Sequence, residues 1–84
     1  MIYHAALWNT IQHIAKAHNK SCSGLARWCK LDSTTFNHSK QFTTYGQPRW
    51  ISTETLAKIL SATQTTPTQF AQIFEQFLYQ AKQK

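Results

Sequence analysis

Carboxylates are scarce in this chain. Three Asp and Glu stand against nine Lys and Arg, leaving a formal charge of +6. With so few acidic groups to orient a base, acid–base or nucleophilic catalysis is not expected, although Lys20, Ser21, Ser23 and the histidines could be paired on paper. Cysteine is equally sparse. Cys22 and Cys29 lie seven positions apart on one predicted helix, about 10.5 Å in rise. A disulfide needs Cα atoms within about 7 Å, so the two do not pair while that helix stands. His4, His13 and His18 lack the i, i+4 spacing of metal ligands on a helix, and neither a metal nor a cofactor is expected. No run approaches the ~20 apolar residues of a membrane span, and the N-terminus lacks the pattern of a secretory signal. A reducing cytoplasm is the expected setting, with no membrane and no small-molecule substrate as partner.

What is present is positive charge on a short chain. Eighty-four residues make a single core. A core this small supports a stability on the order of 5 kcal/mol. A basic surface calls for a polyanionic partner, either nucleic acid or an anionic membrane face, unless it serves solubility alone.

The hydrophobic pattern predicts helices throughout. Leu7, Ile11, Ile14 and Ala15 fall on one stripe of a first helix over Tyr3–His18, with Trp8 at its flank and Asn19 as a left-handed stop. Ser21 caps a second helix, Cys22 to about Cys29, whose Leu25 and Ala26 face inward. Lys30 and Leu31 form a turn. Asp32 caps a third helix, Ser33–Lys40, with Phe36 as its core anchor and Ser33, Thr34, Asn37 and His38 facing out. Gly46 and Pro48 forbid a helix over 41–50, and Phe42 and Trp50 pin the ends of that long connection. Ser52 caps a fourth helix with Leu56, Ile59 and Leu60 inside. Thr66-Pro67 opens a fifth, striped with Phe70, Ile73, Phe74, Phe77, Leu78 and Ala81. The expected fold is an all-α, five-helix bundle over 1–80, with 81–84 as a basic tail or the start of a linker. Two short helices joined by a tight turn, the second polar on its outer face, are the layout of a DNA-binding helix-turn-helix.

The string Ser23-Gly-Leu-Ala-Arg-Trp-Cys-Lys-Leu-Asp-Ser-Thr-Thr-Phe-Asn-His-Ser-Lys40 and the later Arg49-Trp-Ile-Ser-Thr-Glu-Thr-Leu-Ala-Lys-Ile-Leu60 resemble the phage-repressor-like (Xre-type) helix-turn-helix domain. They look especially like the branch that precedes a self-cleaving serine–lysine peptidase domain. The resemblance runs from about Leu7 to Phe74. It implies a lambda-repressor-like fold and a bacterial or phage transcriptional repressor that binds a palindromic operator in double-stranded DNA as a homodimer. The chain departs from the family at Lys30, where glycine is usual, and no peptidase domain follows. It is therefore expected to be the DNA-binding part of a longer repressor, the alternative being a standalone regulator.

The same resemblance assigns roles. Ser33, Thr34 and His38 occupy positions that face base edges in the major groove. Asn37 is left between adenine, phosphate and simple exposure. Ser21, Cys22, Ser23, Arg27, Lys40, Thr44 and Arg49 form the phosphate-contacting set, Cys22 through its backbone N–H alone. Arg27 has an equally good reading as a surface residue whose stem covers Trp28. Tyr45 is either a backbone contact or a packed aromatic. Two rival functions remain. One is a protein-interaction module using an exposed Phe74, Phe77 and Leu78. The weaker is a membrane-surface peptide built on the last helix.

Overall fold

The computed structural model describes residues 2–82, and their regular structure is helical. Helix α1 spans Ile2–Ala17, α2 Cys22–Trp28, α3 Thr53–Thr63 and α4 Pro67–Lys82, with a single 3-10 turn at His38–Lys40. The protein is a small all-α domain of four helices. Among the described residues the only β pairing is an isolated bridge between Phe42 and Pro48. Of the expected tail, Ala81 and Lys82 belong to α4, while Gln83 and Lys84 lie outside the described residues.

Helix α1 is the hub. It packs most extensively along α4 and more briefly on α2. Its stripe of Leu7, Ile11, Ile14 and Ala15 is buried as the periodicity requires. Trp8 is buried with it at 3% exposure rather than flanking it. Leu25, Ala26, Cys29, Phe36 and Ile59 complete the core, with Phe70, Ile73 and Phe74 of α4 packed against it. Buried hydroxyls are satisfied locally: Thr10 donates to Ala6 O and Thr63 to Ile59 O, each at 2.7 Å.

The helix ends follow the expected capping. Ser21 Oγ accepts from Gly24 N, and Ser52 Oγ from Thr55 N. Thr66 and Gln69 form a reciprocal capping box ahead of Pro67's helix. Three helices stop on a left-handed residue, and none of the three is glycine: Asn19 (φ 58), Lys30 (φ 60) and Gln64 (φ 54). Each is followed by the long return bond of a Schellman motif, Lys20 N to Ala15 O, Leu31 N to Ala26 O and Thr65 N to Leu60 O. Lys30 thus holds a left-handed conformation that favours glycine.

The expected third helix does not form, so the five-helix bundle is corrected to four helices and a 3-10 turn. Residues 33–36 are a turn, and the chain leaves it extended at Asn37 (φ −63, ψ 149) before the 3-10 turn. Every backbone bond here spans three residues: Thr35 N to Asp32 O, Asn37 N to Thr34 O, Lys40 N to Asn37 O and Gln41 N to His38 O. The physical cause is local competition. Asp32 Oδ1 accepts from both Thr34 N (2.9 Å) and Thr34 Oγ1 (2.7 Å), and Thr35 Oγ1 donates to Asp32 O (2.6 Å). Such side-chain bonds draw Ser, Thr, Asn and Asp backbones away from the helix. Phe36, 1% exposed, is the sole large apolar residue of 33–40, so no second apolar group a turn away adds packing to offset the cost of helix formation.

Replacing Lys30 by glycine removes the side-chain penalty of a left-handed residue while keeping the turn. Lys30→Gly is expected to raise stability by about 1 kcal/mol, read as a higher urea midpoint at unchanged slope. A lowered midpoint would contradict the strain assigned to this turn.

Candidate nucleic-acid interface

The segment after α2 is a surface element held from below. Gln41 to Arg49 form a tight hairpin, with Arg49 N donating to Gln41 O (2.9 Å) and Thr43 N to Gln47 O (2.8 Å). Gly46 N returns to Thr43 O (2.9 Å), and Gly46 sits at φ 80. That pattern is a three-residue hairpin loop ending in a left-handed glycine. An added Cβ at Gly46 would meet nothing within 4 Å, so the positive φ alone calls for glycine there.

Two side chains of α1 grip the limbs of this hairpin. His4 Nε2 lies 2.7 Å from Gln41 O, and since a carbonyl only accepts, Nε2 carries the proton. Trp8 Nε1 donates to Arg49 O at 3.0 Å. His4 itself is buried, with Phe42 tilted against it at 4.8 Å and Trp50 edge-on at 5.4 Å between ring centroids. Phe42 and Trp50 do pin the ends of the connection, but as a sandwich around His4, since they remain 44% and 52% exposed.

Between the Asp32 turn, the hairpin and the start of α3 lies an open cleft of about 390 Å³. It gathers three of the expected contact residues, Thr34, Lys40 and Arg49, and adds Thr35, Trp50 and Thr55, which no sequence pattern singled out for contact. Ser33, Asn37 and His38 stand outside the cleft on the same segment, with His38 exposed and the other two half-buried. Ser21, Ser23 and Arg27 belong to α2 and its cap, away from the cleft, and Thr44 is exposed at the hairpin tip. Cys22 is half-buried against the core, and burial raises its thiol pKa. Lys20 lies over Trp28, its Nζ 4.9 Å from the ring centroid.

The electrostatics favour an anion. Among the described residues the one ion pair joins Lys58 to Glu54 at 3.3 Å along α3. Lys40, Arg49 and Arg27 are exposed and have no carboxylate within ion-pair distance. Asp32 also lines the cleft, where its exposed carboxylate is bonded through Oδ1 to Thr34. The Thr34 amide, then the Thr34 hydroxyl and the nearby Lys40, hold its carboxyl below the ordinary value. No group of three or more His, Cys, Asp or Glu among the described residues is placed to hold a metal ion. No helix among them is long and apolar enough to cross a membrane.

The rival aromatic surface is largely occupied. Phe74 stacks on Tyr3 and Phe70, Phe77 meets His13 edge-on, and Phe74, Phe77 and Leu78 are all half-buried. Compared with protein-family models, curated proteins and solved structures, the chain finds no match.

Because the folded pKa of Asp32 is depressed, its contribution to the turn is complete above the ordinary value of 3.8 and is lost as pH falls through the folded value. The Asp32 carboxyl carbon, followed by NMR, should titrate with a midpoint below 3.8, and Thr34→Ala should move that midpoint upward. A wild-type midpoint at or above 3.8 would show that the turn does not hold the carboxylate.

Proposed function

We propose that this protein is a sequence-specific double-stranded DNA-binding domain of a transcriptional repressor, resembling the phage-repressor-like helix-turn-helix domains. One observation carries the reading. The surface segment from Ser33 to Arg49 presents cations, hydroxyls, amides and an imidazole, and it contains no carboxylate. The unpaired cations suit phosphates, and the neutral polar groups suit base edges.

Within this reading Lys40 and Arg49 flank a phosphate at the mouth of the cleft, while Thr44, Arg27 and the α2 start with Ser21, Cys22 and Ser23 hold neighbouring ones. The Ser33–Lys40 segment enters the major groove as a turn followed by a 3-10 turn, in place of a recognition helix. Thr34 is constrained in what it reads. Its hydroxyl proton goes to Asp32, so it offers a base only lone pairs and a methyl group. It therefore accepts from an adenine or cytosine amine, or packs on a thymine methyl. His38, Asn37 and Ser33 retain free donors and complete the base-reading set.

So short a reading segment spans only a few base pairs. Useful specificity then requires two half-sites about one helical turn apart, and hence a homodimer on a palindromic operator. Neutralising about four to six phosphates per protomer gives a salt slope of about −4 to −5 per protomer.

Selection of bound sites from random duplex DNA at two salt concentrations tests the proposal. An enriched palindrome with affinity falling as salt rises is the expected result, and Arg49→Ala should weaken all sites alike while lowering the slope by about one. Binding that survives high salt, or no binding to any duplex, would contradict it.

A further inference from the structure

Tyr45 takes no part in the cleft, yet it is the most exposed large hydrophobic side chain of the described residues at 92%. It stands at the tip of the Gln41–Arg49 hairpin, beside Thr44 and next to Gly46. A packed aromatic is excluded by that exposure. The loop beneath it is not a loose one. Thr43 Oγ1 accepts from both Tyr45 N (3.3 Å) and Gln47 N (3.1 Å), and Thr43 O from Gly46 N, so these three backbone donors are satisfied within the loop. Its two limbs are gripped from α1 by His4 and Trp8.

This arrangement presents an amphipathic ring on a rigid support. Tyrosine combines a flat apolar face with a polar end, and little entropy is lost when a preordered loop docks. The limbs leading to the ring carry Lys40 at one base and Arg49 at the other, and no carboxylate lies between Asp32 and Glu54. A partner reached by the tip is therefore one whose surface mixes negative charge with apolar patches. The sugar–phosphate backbone of duplex DNA has that chemistry, with deoxyribose faces between phosphates.

We infer that Tyr45 adds to the Gln41–Arg49 hairpin a contact beyond the phosphates assigned to Thr44 and Arg49: its ring packs on a deoxyribose of the flanking backbone and its hydroxyl donates to the adjacent phosphate. His4 and Trp8 are its positioning residues, acting through the carbonyls of Gln41 and Arg49. This inference rests on the duplex-DNA reading of the Ser33–Arg49 surface. It adds a contact outside the base pairs read by Ser33–Lys40, and that contact carries no base preference of its own.

Hydroxyl-radical footprinting on an enriched 30-base-pair duplex from the site selection separates the possibilities. The full chain, Tyr45→Ala and Tyr45→Phe are compared, with binding followed in parallel by fluorescence anisotropy. Tyr45 makes no core contact, so the variants should unfold at the same temperature as the parent. The parent is expected to protect a central patch and a flanking patch of deoxyriboses. Tyr45→Ala should lose the flanking patch alone and bind about five- to tenfold more weakly. Tyr45→Phe should keep the flanking protection with a smaller loss of affinity. If Tyr45→Ala protects and binds as the parent does, the Tyr45 contact is overturned while the DNA-binding reading stands. If the parent protects no part of any duplex, the DNA-binding reading falls and takes this inference with it.

Discussion

The chain from Asp32 to Trp50 has almost no repetitive hydrogen bonding of its own, and the proposed DNA-binding face depends on how it is held. Three anchors do the holding. Phe36 is sunk in the core, His4 donates to the carbonyl of Gln41, and Trp8 donates to the carbonyl of Arg49. Two of these three come from α1, which is itself fixed by α4. A segment too polar to build a helix is thereby given a defined shape without a helix. Losing a buried donor to a carbonyl leaves that carbonyl short of a partner at about 1–3 kcal/mol, a large share of a total on the order of 5 kcal/mol. The surface and the core are therefore coupled through α1 rather than through the segment's own backbone.

Much of the scaffold was legible in the residues. The Leu7–Ala15 stripe, the stop at Asn19, the caps at Ser21 and Ser52, the Thr66-Pro67 start and the burial of Phe36 all come from period and capping chemistry, which act over one or two turns. The failure lay at Ser33–Lys40. Asp32 reads equally well as a helix cap and as the start of a closed turn, and the residues after it decide between the two. Those residues include Ser33, Thr34, Thr35 and Asn37, each of which bonds its own backbone at least as readily as it continues a helix. That signal was present and was outweighed by the helix-turn-helix layout. The hairpin was half legible, since Gly46 marks a left-handed loop position but says nothing of which residues grip its limbs. His4 was weighed only for metal binding or catalysis, and neither was expected of it. Its contact with Gln41 joins residues 37 positions apart, a distance no local pattern encodes.

Charge placement explains why this face, and not another, is the candidate for DNA. The three carboxylates are each dealt with differently. Glu54 is tied to Lys58, Asp32 is tied to Thr34, and Glu75 sits on the outer groove of α4. None opposes Lys40 or Arg49 as an ion pair. The aromatic stripe of α4 is spent mostly on α1, through Tyr3 and His13, which leaves little of it for a partner helix. The cationic, carboxylate-free stretch remains the surface whose chemistry is least satisfied within the protein itself.

The central claim, that the Ser33–Arg49 face meets duplex DNA, is tested most directly by mapping the contact surface residue by residue. Amide chemical shifts of the isotope-labelled protein would be followed as a 20-base-pair duplex is added at low salt. The largest changes are predicted to fall on Ser33–Lys40 and Thr43–Arg49, to extend to Ser21–Ser23, and to reverse when salt is raised. Changes concentrated on the outer face of α4 around Gln76 and Tyr79, or no changes anywhere, would contradict the claim.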